Sequence, residues 1–136
     1  MNERDWDKVA ASFEEDIFNV PANDAKGIIS GWVESLAAPG AEATDLGCGV
    51  GRTLPLVAEC YSKVYAVDVS RQCLEVAAKA NAGRTNIVYV HADASVDRGS
   101  YPATDVVLCI NTWLSAALEV REGLIDRTCR SVKKGG

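Results

Sequence analysis

The sequence predicts an α/β fold: a doubly wound, mainly parallel sheet of about four strands with helices on both faces. Three observations predict it. From residue 41 onward, short apolar runs rich in β-branched residues alternate with segments of helical periodicity, the pattern of parallel βαβ units. Glycines 47, 49 and 51 crowd the junction between the first run and the helical segment after it. Asp68, 21 residues after Gly47, ends the second run. A strand, a glycine loop, a helix and an acid about 20 residues on form the nucleotide-binding arrangement of such folds, where the acid accepts hydrogen bonds from ribose hydroxyls.

The elements follow in order. Residues 5–13 read as a short helix with Trp6, Val9, Ala10 and Phe13 on one face. Residues 14–22 are acidic and irregular, with Pro21 as a stop. Asn23 caps a second helix that carries Ile28, Ile29, Trp32, Val33 and Leu36 at helical spacing, and Pro39-Gly40 ends it. Strand one spans 42–46, and a helix over 51–60 tolerates Pro55 near its first turn. Residues 64–69 form a nearly continuous apolar strand two, suited to burial on both faces. Ser70 caps the next helix, whose inner face is Leu74, Ala77 and Ala78, and Gly83 ends it. Strand three is 87–90 and leads into His91-Ala92-Asp93; residues 94–103 form a loop; strand four is 105–110. A last helix from Leu118 to Val132 turns Leu124, Ile125, Thr128 and Val132 inward. The chain divides into an N-terminal helical segment, 1–40, that covers the ligand site, and an α/β core, 41–136.

Composition narrows the function. With 136 residues the chain can build one domain with a real core. A net charge of −5 disfavours the phosphate backbone of nucleic acid as a partner. No apolar run approaches the ~20 residues needed to span a bilayer. The polar start Met-Asn-Glu-Arg-Asp is unlike a secretory signal. The 5 cysteines are an odd number without a C-x-x-C pair, which predicts reduced thiols, a cytoplasmic setting and no metal.

The glycine loop itself separates two ligands. The dinucleotide fingerprint G-x-G-x-x-G fits Gly47 and Gly49, but its third glycine is replaced by Arg52. Residues 44–52 instead read Thr-Asp-Leu-Gly-Cys-Gly-Val-Gly-Arg, with Asp45 two residues before the first glycine. A buried carboxylate there repels a pyrophosphate and suits a cationic ligand.

With those residues written out, the chain resembles the Rossmann-like S-adenosylmethionine-dependent methyltransferases, at their motif I. Their cofactor carries a sulfonium, an ammonium and a ribose, and no phosphate. The resemblance extends over nearly the whole chain. Trp6 to Phe13 is similar to the N-terminal helix that many small-molecule methyltransferases close over the cofactor. Val132-Lys133-Lys134-Gly135-Gly136 is similar to the turn before the family's fifth strand, with Lys134 in place of a proline. The resemblance implies that the fifth strand and a final antiparallel hairpin are missing after this point, and with them much of the substrate pocket.

It also implies roles. The loop backbone at Gly47, Cys48, Gly49 and Gly51 lies against the methionine part, and Asp45 helps hold its ammonium. Asp68 accepts from both ribose hydroxyls, and Val69 lies on the adenine face. Asp93 accepts from the adenine amine with the Ala94 amide nearby, and Asn111 ends strand four at the same site. The Asn/Asp-Pro-Pro-Tyr/Phe sequence of the adenine- and glutamine-modifying branch is replaced here by Asn111-Thr112-Trp113-Leu114. Each residue has a plainer reading beside this one. Asp45 is then a turn residue, Asp68 a helix cap, Asp93 an Asx turn, and Asn111 a turn or cap. His91, the one histidine, is a candidate base or a structural residue; Trp6 and Phe13 stack on ligand or belong to the core; Glu14, Glu15 and Asp16 form a solvated face.

The expected activity is methyl transfer to a small molecule, with no catalytic residue identified. The alternatives are a non-catalytic S-adenosylmethionine-binding module or fragment that needs more chain or a partner, a nicotinamide oxidoreductase, and an interaction protein on the same fold. Strand four, with nothing beside it, is expected to offer an open apolar edge for a homodimer.

Overall fold

A computed structural model describes residues 3–10, 20–96, 99–113 and 117–135. Four parallel strands, β1 (Glu42–Leu46), β2 (Lys63–Asp68), β3 (Ile87–His91) and β4 (Val106–Leu108), lie in the order β3-β2-β1-β4. The chain steps outward one way from β1 through β2 to β3, then returns to place β4 on the other side. β1 is therefore where the order reverses. Register makes the strand ends level: Leu46 lies opposite Val67, Asp45 opposite Leu108, and Asp68 opposite His91.

The helices are α1 (Glu3–Ala10), α2 (Val20–Asn23), α3 (Ile28–Ser35), α4 (Leu54–Cys60), α5 (Arg71–Ala80) and α6 (Leu118–Ser131). Two apolar clusters line the two faces of the sheet. One joins Ala43, Val64 and Ala66 to Val33, Leu54, Val57, Leu74 and Ala77 of α3, α4 and α5. The other joins Leu46 and Val67 to Ala94, Tyr101 and Leu124 of α6. β2 is buried on both sides, with Val64, Ala66 and Val67 all inaccessible, as its continuous apolar run predicts.

Several elements differ from the sequence reading, each for a local reason. Val20–Asn23 is a helical turn rather than irregular chain, because Pro21 sits near its start, where no amide is required. Asn23 ends that turn and does not cap α3. The capping carboxylate is Asp24, which accepts from the amides of Ile28 (2.7 Å) and Ser30 (2.9 Å). On α3 only Val33 is buried, while Ile28, Trp32 and Leu36 face outward. α4 begins at Leu54, after the glycine loop has finished turning, and α5 ends at Ala80 with Asn81 as its C-cap, before Gly83. β4 is shorter than its apolar run. α6 turns Leu124, Arg127 and Ser131 inward and leaves Ile125 half exposed. Arg127 can be buried because its guanidinium lies 4.2 Å over the Tyr101 ring while its Nε donates to the Tyr101 hydroxyl at 2.9 Å. Phe13, Glu14, Glu15 and Asp16 lie outside the described residues.

Candidate functional site

Beyond the carboxyl ends of β1, β2 and β4 lies a cavity of about 670 Å³, at the reversal point where ligands of open α/β sheets sit. Its floor is the glycine loop. Gly47, Gly49 and Gly51 all hold positive φ (76°, 53° and 78°). At Gly47 a Cβ would stand 2.4 Å from the Thr112 hydroxyl, which donates to the Leu46 carbonyl at 2.8 Å and ties the end of β4 to the end of β1. At Gly51 a Cβ would meet Ala77 and Leu54 at 2.8 Å. Gly51 therefore lets α4 and α5 close behind the loop, and it does not line the cavity. Of the residues the sequence singles out, Asp45, Gly47, Cys48, Gly49, Asp68, Val69, Asp93, Ala94 and Asn111 do line it.

Asp45 is almost wholly buried, and the Thr53 hydroxyl donates to its Oδ2. Burial raises its carboxyl to about 6; the Thr53 hydrogen bond opposes the rise and the charge of Asp68 adds to it. Asp68 is held by two backbone amides: Gly49 donates to Oδ2 and Ser70 to Oδ1, both at 2.8 Å. Burial raises its carboxyl also, against the amides of Ser70 and Gly49. Both oxygens keep a second lone pair for a hydroxyl donor. Asp68 thus has the structural role of bracing the loop and the start of α5.

Asp93 makes an Asx turn, its Oδ1 accepting from the amide (2.9 Å) and hydroxyl (2.6 Å) of Ser95. Asn111 is the described non-glycine residue with positive φ, at 60°, a conformation asparagine tolerates better than most side chains. Burial pushes the Cys48 thiol well above its ordinary value, so it is a wall and not a nucleophile. His91 is outside the cavity. Arg71 Nη2 stands 3.2 Å from its Nδ1, while its Nε2 is 3.0 Å from both Glu3 Oε1 and the Val69 carbonyl. The ring is thus engaged with α1 through Glu3 and with the start of α5 through Arg71.

Sequence reasoning missed Thr53, Arg52, Thr112, Val20 and Pro21, all in the wall. Arg52 and Thr53 were legible in principle, directly after the glycine loop at the foot of a helix; Thr112, Val20 and Pro21 arrive by tertiary folding. Glu3 and Trp6 of α1 also reach the wall.

The family profile described as a methyltransferase domain matches residues 43–136. The chain belongs to the methyltransferase domain family. No curated protein matches it in sequence. Among solved structures, the complex of DhpI with S-adenosylhomocysteine superposes on 99% of this domain and 64% of its own chain, with TM-score 0.78 and 15% identity. A TehB-like S-adenosylmethionine-dependent methyltransferase from Corynebacterium glutamicum covers 95% and 64%, with TM-score 0.65 and 23% identity. A methyltransferase from Thiobacillus denitrificans, bound to S-adenosylhomocysteine, covers 83% and 46%, with TM-score 0.60 and 26% identity. This methyltransferase domain therefore spans less than two thirds of the length of these neighbours. The methyltransferase family uses S-adenosylmethionine.

Proposed function

We propose that this methyltransferase domain binds S-adenosylmethionine in the cavity and transfers its methyl group to a small molecule. The observation that carries the reading is the convergence of Asp45, Asp68 and the glycine loop on one cavity of about 670 Å³, a size suited to a small ligand. The residues fit the group. Asp45 meets its ammonium, and the cation offsets the cost of a buried carboxylate. Asp68 accepts from the ribose hydroxyls. Asp93 accepts from the adenine amine, beside Ala94 and Val69. Asn111 and the backbone of Gly47, Cys48 and Gly49 frame the methionine part.

When bound, the cofactor supplies a methyl group already activated by a sulfonium, so the protein's task is alignment and exclusion of water. α1 and α2 contribute to that exclusion by placing Glu3, Trp6, Val20 and Pro21 in the wall. His91, held away from the cavity, has no part in proton transfer. A net charge of −5 favours a small acceptor over nucleic acid. No described helix is long and apolar enough to cross a membrane.

Incubation with methyl-labelled S-adenosylmethionine and pooled small-molecule acceptors tests the reading. Label in a small-molecule product is the expected result. Cofactor binding without transfer to any pool would support the rival reading, a binding module that needs further chain or a partner.

A further inference from the structure

The carboxylate assigned to the ribose is not fixed by the core alone. Ser70, fully buried at the start of α5, donates its amide to Asp68 Oδ1 at 2.8 Å and its hydroxyl to Asp7 Oδ1 at 2.5 Å. The same hydroxyl accepts from the Cys73 amide at 3.1 Å, which is the N-cap bond of α5. Asp7 also accepts from the Gln72 amide at 3.4 Å. A carboxylate of α1 thus completes the cap of α5. On its far side Asp68 Oδ2 takes the Gly49 amide at 2.8 Å. One line of hydrogen bonds therefore runs Asp7–Ser70–Asp68–Gly49, from the N-terminal helix to the floor of the cavity. An apolar contact runs parallel to it, because Ala10 of α1 packs with Val50 of the loop and Cys73 of α5.

Two acids share this serine as donor. With Asp7 in place the Ser70 hydroxyl has both of its roles filled, its backbone is held in the cap conformation, and its amide points at Asp68. Without Asp7 the hydroxyl hydrogen has no partner from α1, and the cap that aims the amide is looser. We propose that Asp7 is a positioning residue for Asp68. Through Ser70 it sets the orientation of the ribose-binding carboxylate, so that docking of α1 and recognition of the ribose are coupled. The inference rests on the assignment of the cavity to S-adenosylmethionine, and goes beyond it by giving α1 a part in cofactor recognition as well as in covering the site.

A chemical double-mutant cycle tests it by isothermal titration. The proteins are wild type, Asp7→Ala and Asp7→Asn; the ligands are S-adenosylhomocysteine and its counterpart lacking both ribose hydroxyls. Asp7→Ala is expected to weaken S-adenosylhomocysteine about fivefold and the dideoxy ligand less than about twofold, within the range seen for coupled neighbours. Asp7→Asn keeps an oxygen for the Ser70 hydroxyl and is expected to restore most of the loss. Ser70→Ala breaks the same link from the other side and is expected to show the same selectivity, which keeps the test open if Asp7→Ala folds poorly. Equal weakening of both ligands would reduce α1 to a cover, and unchanged binding would remove the link; either overturns the proposal while leaving the cofactor assignment intact. Failure of the wild type to bind S-adenosylhomocysteine would overturn both.

Discussion

Asp45 carries the sharpest conflict between stability and function. Its carboxyl lies at about 6 in the fold against an ordinary 3.8, so the folded state holds its proton more tightly than the unfolded chain. Between those values the folded state binds more protons, and this residue's contribution to stability falls as pH rises through that window and stays low above it. Asp45→Asn, which keeps an oxygen for Thr53, is expected to gain on the order of 3 kcal/mol over wild type at pH 7.5 and on the order of 1 kcal/mol at pH 4.5. Thermal unfolding of both proteins at the two pH values checks this; a variant that melts below wild type at pH 7.5 would contradict it. The same substitution is expected to weaken cofactor binding, because the ammonium loses its counter-charge. Asp68 and His91 give the second comparison. Asp68→Ala removes a charged acceptor from ligand and loop, and hydrogen bonds to charged groups are worth about 1.5–3 kcal/mol each, so a loss of tenfold or more in affinity is expected. His91→Ala touches α1 from outside the cavity and is expected to change affinity by less than about threefold. Titration of S-adenosylhomocysteine into each variant decides, and equal affinities would remove Asp68 from the ribose.

At the scale of elements, the unit from β1 through the loop to α4 has its geometry written into local sequence. Gly51→Ala forces a Cβ into Ala77 and Leu54 at 2.8 Å and a side chain onto φ 78°. A cost of about 2 kcal/mol or more is expected in urea unfolding. Gly83→Ala, with nothing within 4 Å of the new atom, is expected to be nearly neutral; a silent Gly51→Ala would show that the loop does not depend on its glycines. This unit was legible because glycine spacing and strand patterning are local signals. α6 was half legible. Its periodicity placed Leu124 correctly but chose Ile125 over Arg127 for the interior, since hydropathy cannot anticipate a guanidinium stacked on Tyr101. The cap of α3 went to Asn23 instead of Asp24 because both residue types cap helices, and only the path of the chain through α2 chooses between them. The Asp7–Ser70–Asp68 line was illegible for the same reason: it depends on which helix end meets which strand end.

For the whole molecule, the sheet leaves β4 at its rim. One side of Val106–Leu108 pairs with β1; on the other, among the described residues, only the bridge Thr104–Val132 touches the chain before the strand begins. Ile125, Val120 and Leu118 of α6 expose apolar surface as well. An uncovered edge of this kind pairs with other chains, and a second copy related by a two-fold axis is the simplest cover. Sedimentation at micromolar concentration is expected to show a dimer, and a clean monomer across that range would contradict this. The cavity beyond β1 and β2 is expected to take a ribose joined to a cationic amino acid and to refuse a pyrophosphate. Isothermal titration of the unmodified chain with S-adenosylhomocysteine and with NAD tests it most directly. Saturable binding of S-adenosylhomocysteine with no heat from NAD is the expected result; tight binding of NAD, or no binding of S-adenosylhomocysteine, would contradict this assignment of the cavity.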